Sequence, residues 1–130
     1  MTTRYRGKAA GPVGPVGPQY TVPLTTQTSA STSYALAADD SGKVKEFTAS
    51  SAITVTLPNS LAAGFNCIIC QAGTGQITLS PASGATLRNA GDGEGNQYTK
   101  TFAQWSEISI RVRANSNNTS AEYVASGDMI

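Results

Sequence analysis

Cys67 and Cys70, in "NCIICQ", carry the C-x-x-C spacing used by redox and zinc sites. The surrounding residues read as a strand, however, in which positions three apart face opposite sides with Cα atoms roughly 10 Å apart. That is beyond the reach of a disulfide. A zinc ion would need further ligands, and the chain has no histidine and no third cysteine. The pair is therefore expected to be two small buried side chains, with no metal and no cofactor.

The lack of histidine also removes the commonest acid-base group near neutral pH and the usual partner of a Ser or Cys nucleophile. What remains is eight scattered carboxylates, Asp39, Asp40, Glu46, Asp92, Glu94, Glu107, Glu122 and Asp128. A glycosidase-type site would need two of them brought together across a cleft. "GDGEGN" at 91–96 sets Asp92, Glu94 and Asn96 at alternate positions, as a calcium loop begins. It lacks the later bidentate glutamate and helical flanks, so it reads as a hairpin loop. The glycines of "AGTGQ" precede no helix and are read as turn glycines rather than a phosphate cradle. Asn117 and Asn118 each open a glycosylation pattern, which has no bearing without a secretory leader. A protein that is not an enzyme is expected.

The elements that position these residues alternate with a two-residue period. Ile53, Val55 and Leu57 point one way in "AITVTLP" and Thr54 and Thr56 the other, until Pro58 ends the strand. "FNCIICQ" is a more continuously apolar strand, covered on both faces or placed at a subunit contact. After "AGTG" at 72–75, "QITLS" resumes the alternation, and the two are read as a β-hairpin. Further strands are predicted at 98–104, 106–114 and the terminal "AEYVASG", with weaker ones at 33–37 and 43–48. "NSLAAGF" at 59–65 holds one helical turn at most. The sum is about eight strands in an all-β domain over 33–130, a compact antiparallel sandwich or jelly-roll-like fold.

Upstream the composition changes. Arg4, Tyr5, Arg6 and Lys8 form a basic arm over 1–10, leaving six cations against eight anions elsewhere. Three charges are too few for dedicated nucleic-acid binding. Residues 11–19 are three Gly-Pro-X triplets, with Gly11, Gly14 and Gly17 each followed by Pro12, Pro15 or Pro18. Glycine at every third position fits a three-chain packing rule, and nine residues of polyproline geometry span roughly 28 Å. So few triplets do not hold a triple helix alone. They form either a stiff spacer or a short extension of three chains already gathered by a trimeric domain. A Ser/Thr-rich connector follows at 20–32. No apolar run approaches the roughly 20 residues of a membrane span, and the start lacks a secretory leader's apolar stretch, so no membrane partner and synthesis in a cytoplasm are expected. Charged residues are only 13% of the chain, so solubility rests on neutral polar groups.

"DSGK" at 40–43, "SAITVTLP" at 51–58, "GF" at 64–65, "QAGTGQITLSP" at 71–81 and "YVASGD" at 123–128 together resemble a small β-domain of tailed-bacteriophage virion proteins, found in head fibres, capsid decoration proteins and tail fibres. One departure is Tyr123, where tryptophan is common in that domain. The resemblance implies a homotrimer displayed on the virion exterior by an extended N-terminal segment. A tail fibre ordinarily needs several domains, so a short head fibre or decoration protein is expected first, with Arg4, Tyr5, Arg6 and Lys8 on the major capsid protein. Phe65, Ile68, Ile69 and Trp105 are the expected core or inter-chain anchors. The alternative is a receptor- or glycan-binding tip that contacts host-surface glycans through loops 88–97 and 115–120.

Overall fold

The computed structural model describes residues 24–93 and 97–130. The arm residues Arg4, Tyr5, Arg6 and Lys8, the triplets from Gly11 to Pro18, and Glu94 and Asn96 of the acidic loop lie outside the described residues. Nine strands are present: β1 (Thr25–Ser29), β2 (Ser33–Ala35), β3 (Lys43–Phe47), β4 (Ile53–Leu57), β5 (Asn66–Gln71), β6 (Ile77–Pro81), β7 (Thr86–Asn89), β8 (Glu107–Ala114) and β9 (Glu122–Gly127). No α-helix occurs among the described residues; a 3-10 turn at Ala38–Asp40 is the one helical element.

Two sheets enclose the core, a mixed one ordered β1-β3-β5-β8-β9-β7 and a parallel one ordered β2-β4-β6. From β1 to β6, odd strands enter the first sheet and even strands the second, so this part of the chain winds as three stacked coils. This is the path of a short β-solenoid, in which each coil rests on the one before. The antiparallel sandwich or jelly roll expected from the sequence is corrected: β1 with β3, β3 with β5, β2 with β4, β4 with β6 and β7 with β9 all pair parallel. Only β5 with β8 and β8 with β9 pair antiparallel. Alternation marks which side of a strand is buried and is silent on the direction of its neighbour.

The hairpin expected between "FNCIICQ" and "QITLS" is also corrected, since β5 and β6 lie in different sheets. Its glycines were the misleading signal. Neither Gly73 nor Gly75 takes a left-handed φ, as the tight hairpin turns would require. They are glycines because the loop at 72–76 lies directly on the preceding coil: a Cβ at Gly73 would stand 2.4 Å from the Thr48 carbonyl oxygen, and one at Gly75 1.9 Å from that of Ser51. Backbone bonds carry the stacking around this corner. The amides of Ala72 and Gly73 both donate to the Phe47 carbonyl at 2.9 Å, and Gly75 donates to Ala49 at 3.0 Å.

Coil spacing is visible in the register. Ile77 lies 24 residues after its partner Ile53, and Ile68 the same distance after Val44. "ITVTLP" and "ITLSP" are thus successive copies of one rung, a repeat that the strand-by-strand reading passed over. β1 falls within the predicted connector, and β7 lies where no strand is predicted, its last two residues in the loop expected at 88–97; both are short, and β1 is polar throughout. The strand expected at 98–104 makes only two isolated bridges, Thr78 with Lys100 and Thr101 with Met129. Residues 59–65 contain no helical turn.

Phe47, Ile53, Val55, Leu57, Ile69, Ile77, Leu79 and Ile108 fill the space between the sheets, each with almost no surface left in water. The β8–β9 hairpin closes the solenoid by laying Ile108 beside Ile69 and Ile110 beside Cys67. Tyr123 is wholly buried at the sheet's end and its hydroxyl donates to the Pro58 carbonyl, which gives the polar end of the ring a partner. Ile77→Ala is expected to lower the unfolding free energy by about 2–5 kcal/mol, because it empties a site packed on the coil below. Ile68→Ala, on the opposite side of the mixed sheet, should cost about 1 kcal/mol or less. Denaturant midpoints of the two variants check the assignment of inner and outer faces.

Candidate functional site

Of the four expected anchors, Phe65 and Ile69 lie in the core, at 6% and 0% exposure. Ile68 alternates to the outer face of the mixed sheet and is half-buried, and Trp105 is 63% exposed. The last two are therefore not core residues. Ile68 lines a shallow groove of about 440 Å³ with Leu24, Lys43, Asn66, Arg111 and Val124. Leu24, half exposed, is where the described chain enters the domain.

The two cysteines face opposite sides, as the strand reading requires, and both are buried and unbonded. Burial, with a smaller push from the Asp40 charge, raises the Cys67 thiol to about 12. Burial and then Glu107 and Glu46 raise Cys70 as well. Neutral, covered thiols are poor nucleophiles and poor ligands. Among the described residues no three His, Cys, Asp or Glu side chains gather where they would hold a metal.

Two polar clusters are built by the fold. The first closes the opening coil, where β1 supplies no apolar side chains. Asp40, at the end of the 3-10 turn, is 3% exposed and lies 3.2 Å from the ammonium of Lys45 on β3. The Tyr34 hydroxyl on β2 donates to Asp40 at 2.8 Å, the Ala37 amide donates at 2.9 Å, and Lys45 also donates to Gln27 of β1 at 2.9 Å. The Tyr34 ring meets Phe47 edge-on and lies under the Lys45 charge. Burial alone would push the Asp40 carboxyl up; the bonds from Ala37, Tyr34 and Lys45 outweigh it and hold the group below its ordinary 3.8. Burial would lower Lys45, and its bonds with Tyr34 and Asp40 outweigh that and hold it above 10.5. Both groups stay charged, whereas condensation to an amide needs them neutral. The cluster is a structural tie between β1, β2, the 3-10 turn and β3.

The second cluster is at the pole where the loops 48–52, 72–76 and 101–106 meet. Thr101 is fully buried; its hydroxyl accepts from the Ile77 amide at 2.9 Å and donates to the Gln71 side-chain oxygen. Gln76 donates to the Thr101 carbonyl at 2.9 Å. On this base stands a tight turn closed by the Ser106 amide on the Ala103 carbonyl at 3.1 Å. Ser106 Oγ accepts from the Ala103 amide at 2.9 Å, and Gln104 donates to the Ala72 carbonyl at 2.9 Å. The amides of Trp105 and Phe102 donate to the Gln71 and Asp128 carbonyls at 2.6 and 3.0 Å. Trp105 occupies the third position of the turn with φ of +70°, where glycine or asparagine is the usual choice. Phe102 and Trp105 are 69% and 63% exposed.

The sequence reading named Trp105 as an anchor and missed its presentation. Its neighbours Gln104 and Glu107, both exposed, are the signal that pointed outward. The carboxylates also gain an arrangement that spacing did not disclose. Glu46 and Glu107 share one row of the mixed sheet on either side of Cys70, about 10 Å apart by strand spacing. They stand on an open face, with no cleft between them that would shelter a scissile bond. Elsewhere Glu122 pairs with Arg113 at 2.5 Å on the surface.

No protein-family model, no curated protein and no solved structure matches the chain.

Stability should depend on pH at both extremes. The Asp40 contribution is present above its ordinary value and lost as pH falls through the depressed folded one; that of Lys45 is present below 10.5 and lost as pH rises through the raised one. Denaturation curves are thus expected to show stability falling in acid and again in strong base, with Asp40→Asn flattening the acid limb. Asp40→Ala strands the buried Lys45 charge and should cost about 3–5 kcal/mol. Trp105→Asn, by contrast, relieves a strained backbone and should raise stability by roughly 1 kcal/mol, read as a higher Tm.

Proposed function

We propose that this chain is a bacteriophage virion structural protein, a homotrimeric head fibre or capsid decoration protein. Its N-terminal arm binds the major capsid protein and its β-domain is displayed outward. One observation carries the reading: three Gly-Pro-X triplets, which suit three chains in register, run into a β-domain whose outer sheet face leaves Leu24, Ile68 and Val124 along one groove at the point of entry. Apolar residues grouped on a sheet face next to a three-chain motif are suited to contact between copies. The resemblance of the strand and turn motifs to virion β-domains supports the same reading. The arm, with Arg4, Arg6 and Lys8 and no acid, suits acidic capsid patches, where it would order on binding. Nucleic acid, membrane and cofactor have no part in this assignment.

The receptor- or glycan-binding tip remains a second reading because of one observation, the outward presentation of Phe102 and Trp105.

Light scattering of the purified chain should give about three times the 13.4 kDa chain mass. Removal of residues 1–10 should abolish attachment to virions and leave that mass per chain ratio unchanged. A monomer, or a truncated protein that still decorates capsids, overturns the trimer or the arm assignment respectively.

A further inference from the structure

The outer face of the mixed sheet carries its charges in rows. Glu46 and Glu107 share one row with Cys70 between them. Two residues along the strands, Val44, Ile68, Ser109 and Ser126 share the next. Two residues further, Asn66, Arg111, Val124 and Arg88 share a third. The face thus runs from an acidic edge through an apolar and neutral middle to a basic edge, about 13 Å from Glu107 to Arg111 along β8. Among the described residues the ion pairs are Lys45 with Asp40 and Arg113 with Glu122, so Glu46, Glu107, Arg111 and Arg88 are unmatched by charge there.

A face with unmatched acid on one edge and unmatched base on the other fits a second face of its own kind. Symmetry then constrains the orientation. With the axis parallel to the strands, neighbouring copies meet row to row, and Glu46 and Glu107 come against the same carboxylates of the next copy. With the axis across the strands, in the direction the coils stack, the acidic edge of each copy meets the basic edge of the next. Only the second orientation avoids like charges.

The N-terminal segment sets the number of copies. Leu24 lines the groove on this face with Lys43 and Arg111, and β1, which follows it, is an edge strand of the sheet. The Gly-Pro-X triplets end at Gln19, within about 17 Å of Leu24 at full extension. An axis across the strands keeps every β1 at one end of the assembly, so all copies deliver their triplets to the same place. Two copies would satisfy the charges equally well; glycine at every third position suits three.

We propose that the outer face of the mixed sheet is the trimer contact, with the three-fold axis running across the strands. Glu46 and Glu107 of each copy lie against Arg111 and Arg88 of the next, and Val44, Ile68 and Val124 are enclosed around the axis. The inference rests on the trimer of the reading above and is independent of the capsid assignment. It leaves the paired threonines of the parallel sheet, Thr54 and Thr78, on the outside of the assembly.

The full chain is to be compared with Glu107→Arg, Arg111→Glu and the two combined, by light scattering over a dilution series and by circular-dichroism melts. The parent should show three times the chain mass. Each single reversal sets like charges together at all three contacts and should raise the concentration at which the trimer half-dissociates by about tenfold or more. The combined variant exchanges the two charges and should recover most of the parental association. Without any substitution, raising sodium chloride to about 1 M should weaken the parent trimer. Single variants as trimeric as the parent overturn this contact and leave the trimer reading standing. So does a combined variant no better than the weaker single one, or a parent that salt leaves unchanged. A parent of twice the chain mass overturns the three-fold axis, and a monomeric parent overturns this contact and the trimer together. Trimers that respond as stated and fail to attach to virions remove the capsid assignment alone.

Discussion

A carbon atom added at Gly75 would sit 1.9 Å from the Ser51 carbonyl oxygen. That closeness of one loop to the loop beneath it is the constraint on which the rest of the structure depends. With the corner at 72–76 lying flat on the corner at 48–52, the chain leaving β5 cannot fold back beside it and passes into the opposite sheet. Parallel stacking follows, and with it the 24-residue rung spacing that puts Ile77 on Ile53 and Leu79 on Val55. Each coil covers the apolar face of the one before, so burial accumulates along the solenoid without long-range antiparallel pairing. The β8–β9 hairpin then ends the stack, since β8 lies antiparallel to β5 at the edge where a further parallel coil would have to pair.

The opposite end of the stack is solved by charge. β1 has threonine, glutamine and serine in the rows where β3 and β5 carry Val44, Phe47, Ile68 and Ile69, so the first coil has no apolar plug. Lys45, Asp40 and Tyr34 fill the gap and are satisfied within it. A buried pair of this kind is weak evidence for net stability, because desolvation offsets much of the attraction. Its effect is specificity: only one alignment of β1, β2 and β3 brings all its partners together. The pole with Trp105 uses neutral hydrogen bonds for a similar purpose. There the bonds fix a loop whose exposed rings contribute nothing to the core, and the same stacked corners that force the coil also supply the carbonyls of Gln71 and Ala72 that hold the turn.

Much of the secondary structure was legible because alternation is a local property. Ile53, Val55 and Leu57 had to share a face, Cys67 and Cys70 had to oppose each other, and the absence of histidine could be read from composition. Phe65 and Ile69 were expected as core or inter-chain anchors together with Ile68 and Trp105, and the apolar run that contains three of them did not say which would be buried. Less legible was the candidate site. A tryptophan in "AQWSE" gives no sign that its backbone will be held at positive φ, because that depends on Gln71 and Ala72 accepting bonds from a loop some 30 residues away.

By itself, then, the sequence determined most of the strands, the inner faces of those that alternate strictly, the opposed cysteines and the three-residue rhythm of the N-terminal glycines. Only the tertiary structure decided strand direction, the division into two sheets and the pairing of Lys45 with Asp40 and Gln27. It also decided that Ile68 and Trp105 would face outward. The physical reason is that side-chain period reports the environment on each side of one strand, whereas direction and sheet membership are set by where the intervening corner can lie. At "AGTG" that was settled by room for a missing Cβ, which reads in the sequence as an ordinary turn.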